Sequence, residues 1–210
     1  FRRCAPDEHI LSHRLSQRAQ RQRPGPGARG YRAGVRVHGD QVYITVSLLP
    51  KIRRDDGLLV SGVYRFRLDD EQVAVTNTLD DRNLLVTFVT HNRDCQYGAD
   101  GLAFDSRGNL LVGNFGDGAL HKVTFDDQGR VTGNTVFAKT DFATPMSAPD
   151  FHDKMVRTKM RTTDGICIDG QDNIFVADFS NNAVCKVDPQ GHITVLAQSP
   201  DGDGSDGGLD

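Results

Sequence analysis

Short runs of β-branched, aromatic and aliphatic residues, broken by Gly, Asp and Asn, recur from about residue 34 to residue 198. Within the runs, apolar side chains fall on alternate positions, as in Leu102/Phe104 and Ile166/Ile168, which is the period of a half-buried strand and not of a helix. The pattern predicts strands over Asp100-Gly-Leu-Ala-Phe-Asp105, Asn109-Leu-Leu-Val-Gly-Asn-Phe115, Ala119-Leu-His-Lys-Val-Thr-Phe125 and Asn134-Thr-Val-Phe-Ala138, with tight turns between them. No apolar run approaches the roughly 18 residues of a membrane-spanning helix, so no membrane partner is expected.

The runs repeat. Residues 100–123 and 164–187 align without a gap, and nine of the 24 positions are identical, among them Asp100/Asp164, Gly101/Gly165, Asp105/Asp169, Asn109/Asn173, Phe115/Phe179 and Lys122/Lys186. A degenerate third copy precedes them in Gly34–Asp40, Gln41–Val46, Gly62–Leu68 and Leu84–Phe88, with a longer loop inserted at Pro50 to Val60. Four-stranded units repeated along a chain are the mark of β-propeller blades, so the fold class is all-β and the architecture a β-propeller. A β-sandwich would not account for the ungapped similarity.

Blades are placed at about residues 33–90, 99–139 and 163–198, with 199–210 opening another. Closing a ring takes about four to eight blades. Three therefore make part of a ring, and the chain, which begins at Phe1 and stops in a Gly/Asp-rich run, reads as a fragment with open, sticky blade edges.

Composition adds a cause and a boundary. The acids are 26 Asp and 2 Glu, with 22 Gly and 6 Lys, a balance that favours turns over helix interiors. Charge is uneven: residues 1–36 carry a formal +7 and the remainder −10. Residues 1–30 are thus set apart as a basic segment outside the propeller part, residues 31–210. The stretch Arg23-Pro-Gly-Pro-Gly-Ala-Arg-Gly30 has the composition of a flexible linker and lacks the interleaved aromatics of a nucleic-acid reader, so no nucleic-acid partner is expected.

Other motifs narrow the chemistry. Cys4, Cys95, Cys167 and Cys185 have no zinc-ligand spacing, and Cys167 and Cys185 sit in strand contexts where cysteine is a small buried hydrophobe. Asp201-Gly-Asp-Gly-Ser-Asp-Gly207 imitates the start of an EF-hand loop but has Asp206 where that loop needs Gly. Gly98 to Gly101 offers no GxGxxG phosphate fingerprint, and no GxSxG elbow or Ser-His-Asp order is present.

Thr163-Asp-Gly-Ile-Cys-Ile-Asp-Gly-Gln-Asp-Asn-Ile-Phe-Val-Ala-Asp178, Ala99-Asp-Gly-Leu-Ala-Phe-Asp105 and the ending Gly202–Asp210 resemble the senescence-marker-protein/gluconolactonase/luciferin-regenerating-enzyme-like family of six-bladed propellers. The resemblance covers roughly residues 31–210, and NHL-repeat and strictosidine-synthase-like propellers share part of its grammar. It implies a divalent cation, calcium or zinc, at the top of the channel, and hydrolysis of sugar lactones, a small-molecule substrate. Asp164 matches the family's metal-binding aspartate and its candidate general base. Asp100 falls where the family has an Asn ligand. The family's first-blade Glu ligand has no counterpart, because Glu8 and Glu71 stand at no blade entrance.

The residues support this chemistry independently of the family. Positions just before each inner strand converge at one mouth, so Asp100 and Asp164 would repel unless they shared a proton or a hard cation. A bound metal would polarise a lactone carbonyl, with Asp164 placed to take a proton from water. Loop residues His91 and Asn92, with Arg93 beside them, are candidates to orient substrate. So is Arg161, at the end of a long insertion from Asp141 that carries Lys154, Arg157, Lys159 and a short predicted helix near 150–156. Two alternatives stay open: a non-enzymatic NHL-like binding scaffold, and a strictosidine-synthase-like or arylesterase-like propeller.

Overall fold

The computed structural model describes residues 32–93, 95–140 and 160–198. The basic segment, the predicted helix near 150–156 with its neighbouring cations, and the EF-hand-like run lie outside the described residues.

Among the described residues twelve strands form three four-stranded sheets, and each sheet takes its strands in chain order. The first contains β1 (Arg32–His38), β2 (Gln41–Val46), β3 (Leu59–Arg67) and β4 (Leu84–Thr90). The second contains β5 (Ala99–Phe104), β6 (Leu110–Asn114), β7 (Ala119–Phe125) and β8 (Val131–Lys139). The third contains β9 (Ile166–Ile168), β10 (Ile174–Asp178), β11 (Ala183–Val187) and β12 (Ile193–Gln198). All pairings are antiparallel, and the first strand of each sheet lies beside the first strand of the next, β1 by β5 and β5 by β9. These are three propeller blades in the expected strand order. Strand β8 starts earlier than predicted, at Val131, and β9 keeps only three laddered residues.

The turns account for the Asp excess. Asp105 Oδ1 accepts the backbone N–H groups of Arg107 and Asn109 at 3.0 and 2.8 Å. Asp126 does the same for Gln128 and Arg130, Asp169 for Gln171 and Asn173, and Asp188 for Gln190 and His192. Each turn also needs one residue with positive φ, supplied by Gly108, Gly129, Asp172 and Gly191. An aspartate carboxylate reaches donors two and four residues on, the local bonding that makes this residue a turn former.

Apolar clusters fill the spaces between blades. Tyr43, Val63 and Phe88 of the first sheet pack on Leu102, Leu110, Val112 and Val123 of the second. Leu111, Leu120 and Ala138 pack on Ile174, Val176, Cys185 and Val187 of the third, with Met160 between them. Polar seams join the same blades: Ser61 Oγ accepts the Ala99 N–H at 2.8 Å, and Ser47 Oγ donates to the Ala99 carbonyl at 2.9 Å.

A further cluster buries Val46, Leu49, Val60 and Tyr64 with Ile52, Val75 and Leu84. One expectation needs correction. Cys167 is exposed rather than buried, whereas Cys185 is buried as expected and Cys95 is buried too. The reason is register: Cys167 stands opposite Phe175, on the face of β9 and β10 turned away from the cluster that holds Ile174 and Val176.

Candidate functional site

Each inner strand begins with the same backbone irregularity. The β5–β6 register shifts between Ala99 and Leu102, which sets Asp100 and Gly101 in a bulge, and the β1–β2 register shifts between Arg32 and Val35. In the third blade the Asp164 N–H donates to the Ala177 carbonyl at 3.0 Å, and the Ala177 N–H donates to the Gly165 carbonyl at 2.9 Å, just ahead of β9. A bulge re-aims the residue it carries. It therefore presents Asp100 and Asp164 in equivalent settings, and the sequence has Ala33 at the matching place in the first blade.

The glycine after each of these positions lets the next blade close in. A Cβ on Gly34 would lie 2.9 Å from the Asp100 carbonyl oxygen, and one on Gly101 would overlap the carbonyl oxygen of Asp164. Close stepping of the inner strands brings the two aspartates within electrostatic reach. The Asp100 carboxyl is pushed up to about 7, chiefly by burial and further by the charge of Asp164.

The connectors into the second and third blades are clamped by buried acids. Asp178, 1% exposed, accepts the Arg161 N–H at 2.7 Å, the Thr162 N–H at 3.0 Å, the Thr162 hydroxyl at 2.9 Å and the Asn181 amide at 2.7 Å. Burial raises its pKa despite these four donors. Asp117 accepts the His91 and Asn92 N–H groups at 2.8 and 2.7 Å. Sequence reasoning missed both clamps.

The proposed substrate-facing residues divide accordingly. His91 is exposed. Asn92 Nδ2 donates to the Gly116 carbonyl at 2.8 Å, so its amide helps fix the connector. Arg161 is 5% exposed, and its carbonyl packs against Gly118. Arg93 donates outward, to the Asp56 carbonyl. The structure thus brings Asp100 and Asp164 within electrostatic reach of each other and commits the Asn92 amide and the Arg161 N–H to the connectors.

Two carboxylates from adjacent entrances, one of them desolvated, suit a hard cation that takes oxygen ligands. Among the described residues no group of three or more His, Cys, Asp and Glu side chains gathers for a metal. Among the described residues no helix is long and apolar enough to cross a membrane.

No protein-family model matches the chain. No curated protein matches it either. Solved structures do. A gluconolactonase from Xanthomonas campestris is similar over 85% of this chain and 50% of its own, with 18% identity and a TM-score of 0.51. A luciferin-regenerating enzyme matches over 83% of this chain and 65% of its own, at 12% identity and a TM-score of 0.40. Virginiamycin B lyase from Staphylococcus aureus matches over 82% and 56%, at 13% identity and a TM-score of 0.41. The chain spans about half the length of the gluconolactonase structures it matches. By fold, then, it is three blades of a gluconolactonase-like β-propeller.

Proposed function

We propose that the chain builds part of the mouth of a divalent-cation-dependent, gluconolactonase-like hydrolase that opens a sugar lactone or a related ester. The observation that carries this reading is the Asp100–Asp164 pair, delivered by equivalent bulges, with the Asp100 carboxyl raised to about 7 by burial and by its neighbour. The two carboxylates would hold calcium or zinc, which when bound supplies polarisation of the lactone carbonyl. Proton movement belongs to the chain itself. Asp164 is the carboxylate that accepts a proton from the attacking water, and a cation on the pair would require Asp100 to give up its own. His91 orients a polar group of the substrate, and Asn92 and Arg161 hold the connectors on which the mouth is built.

The test is lactone hydrolysis by the full chain, with calcium and zinc supplied in turn. Asp164→Ala is expected to abolish turnover and weaken cation binding measured by calorimetry; turnover unchanged in that variant overturns the assignment. One observation favours a binding scaffold instead: of the three described entrances, two carry an acid and the third has Ala33. Cation binding without hydrolysis of any lactone would decide for the scaffold.

A further inference from the structure

Beside the carboxylates lies a strip of aromatic rings. Tyr97 precedes β5, Phe115 follows β6, and Phe179 opens the short 3-10 turn Phe179–Asn181 after β10. Backbone bonds pin two of them to the rim that carries the aspartates: the Phe115 N–H donates to the Gly98 carbonyl at 2.9 Å, and the Gly116 N–H to the Tyr97 carbonyl at 2.8 Å. Phe179 stands two residues beyond Ala177, the partner of Asp164. The Tyr97 and Phe115 ring centroids are 5.9 Å apart at 61°, and those of Phe115 and Phe179 are 6.2 Å apart at 49°.

These rings do not serve the core. None belongs to the three apolar clusters, and Tyr97 and Phe179 are 49% and 37% exposed. Phe115 and Phe179 occupy the same position in successive blades, so the strip is a repeated element of the rim. Contiguous exposed apolar surface beside a polar centre is where ligands bind. Polar groups next to the strip are committed elsewhere, Asn92 to the Gly116 carbonyl and Asp117 to the connector N–H groups. An aryl ring needs only the faces and edges that the strip offers.

We propose that Tyr97, Phe115 and Phe179 form an aryl-binding subsite beside the Asp100–Asp164 pair, so that an aryl-substituted lactone or ester is the preferred ligand. This rests on the hydrolase reading for its reactive group, but the subsite is testable without turnover.

The probes are two non-hydrolysable lactams, one benzyl-substituted and one unsubstituted, titrated into the full chain by calorimetry. The benzyl lactam is expected to bind about tenfold tighter. Tyr97→Ala and Phe179→Ala should each cut that preference by about fivefold, and neither alters a clustered core residue. Phe179→Trp should retain the preference and, in a chain without tryptophan, report binding as a fluorescence change. Equal binding of the two lactams, or a preference untouched in both alanine variants, overturns the subsite. Aryl preference without hydrolysis of an aryl lactone would sustain the subsite and remove the hydrolase reading; hydrolysis without aryl preference would do the reverse.

Discussion

The carbonyl oxygen of Asp164 occupies the space that a Cβ on Gly101 would need. Backbone touches backbone at that point, so neither partner can swing away as a flexible side chain would. Gly101→Ala is therefore expected to force the second and third blades apart at their inner strands, at a cost of about 3 kcal/mol. Gly165→Ala is the matched control, because among the described residues nothing lies within 4 Å of its Cβ position, and its cost should stay within about 0.5 kcal/mol. Urea unfolding of both variants checks the contrast.

Asp100 predicts a pH dependence with a definite sign. Its carboxyl moves from an ordinary 3.8 to about 7 on folding, so the folded state resists losing the proton that the unfolded chain gives up readily. The penalty is absent below pH 3.8, grows as pH rises toward 7, and is constant above that. Asp100→Asn removes it. The variant should match the parent near pH 4 and exceed it by roughly 2 to 4 kcal/mol at pH 8, in unfolding measured without divalent cations. A stability difference that does not change with pH would contradict the burial of this carboxyl.

Removing the clamp behind the third blade should be costly. Asp178→Ala strands two backbone N–H groups, a hydroxyl and an amide in a buried setting, for an expected loss of about 3 to 5 kcal/mol. Asp178→Asn keeps the shape and part of the acceptor capacity, so it should lose less. Thermal melts of the two variants at one pH give the comparison.

Thiol chemistry separates the described cysteines. Cys167 is exposed, while Cys95 and Cys185 are buried, and burial pushes the Cys185 thiol up to about 12, with the nearby Asp178 charge adding to the shift. Brief alkylation of the native chain with iodoacetamide should label Cys167 and spare the other two, as read by peptide mass spectrometry. Labelling of Cys185 ahead of Cys167 would contradict the register of the third blade.

The blades were legible because their signals are local. Alternation and the Asp-to-Gly turns lie within a few residues of one another, and the ungapped repeat carried the assignment from one blade to the next. The same repeat pointed to Asp100 and Asp164 as equivalent positions. What stayed hidden was made by distant partners. Asp178 clamps N–H groups 16 and 17 residues back along the chain, and a backbone donor leaves no trace in residue identity. The three-residue β9 was overestimated because Asp164 and Gly165 leave the ladder for the bulge, which alternation cannot register. Aromatic residues at Phe115 and Phe179 were visible as a repeated pair, but their shared strip with Tyr97 depends on how adjacent blades stack.

Among the described residues no strand is lent from one sheet to another: each hydrogen-bonded ladder is completed by strands consecutive in the chain. Low contact order follows from that arrangement, since each ladder forms without waiting for remote sequence to arrive. Blades built this way can condense one after another and dock through faces that already exist. Deleting the third blade would then leave the first two ladders whole, and its loss would be felt at an interface rather than within a sheet.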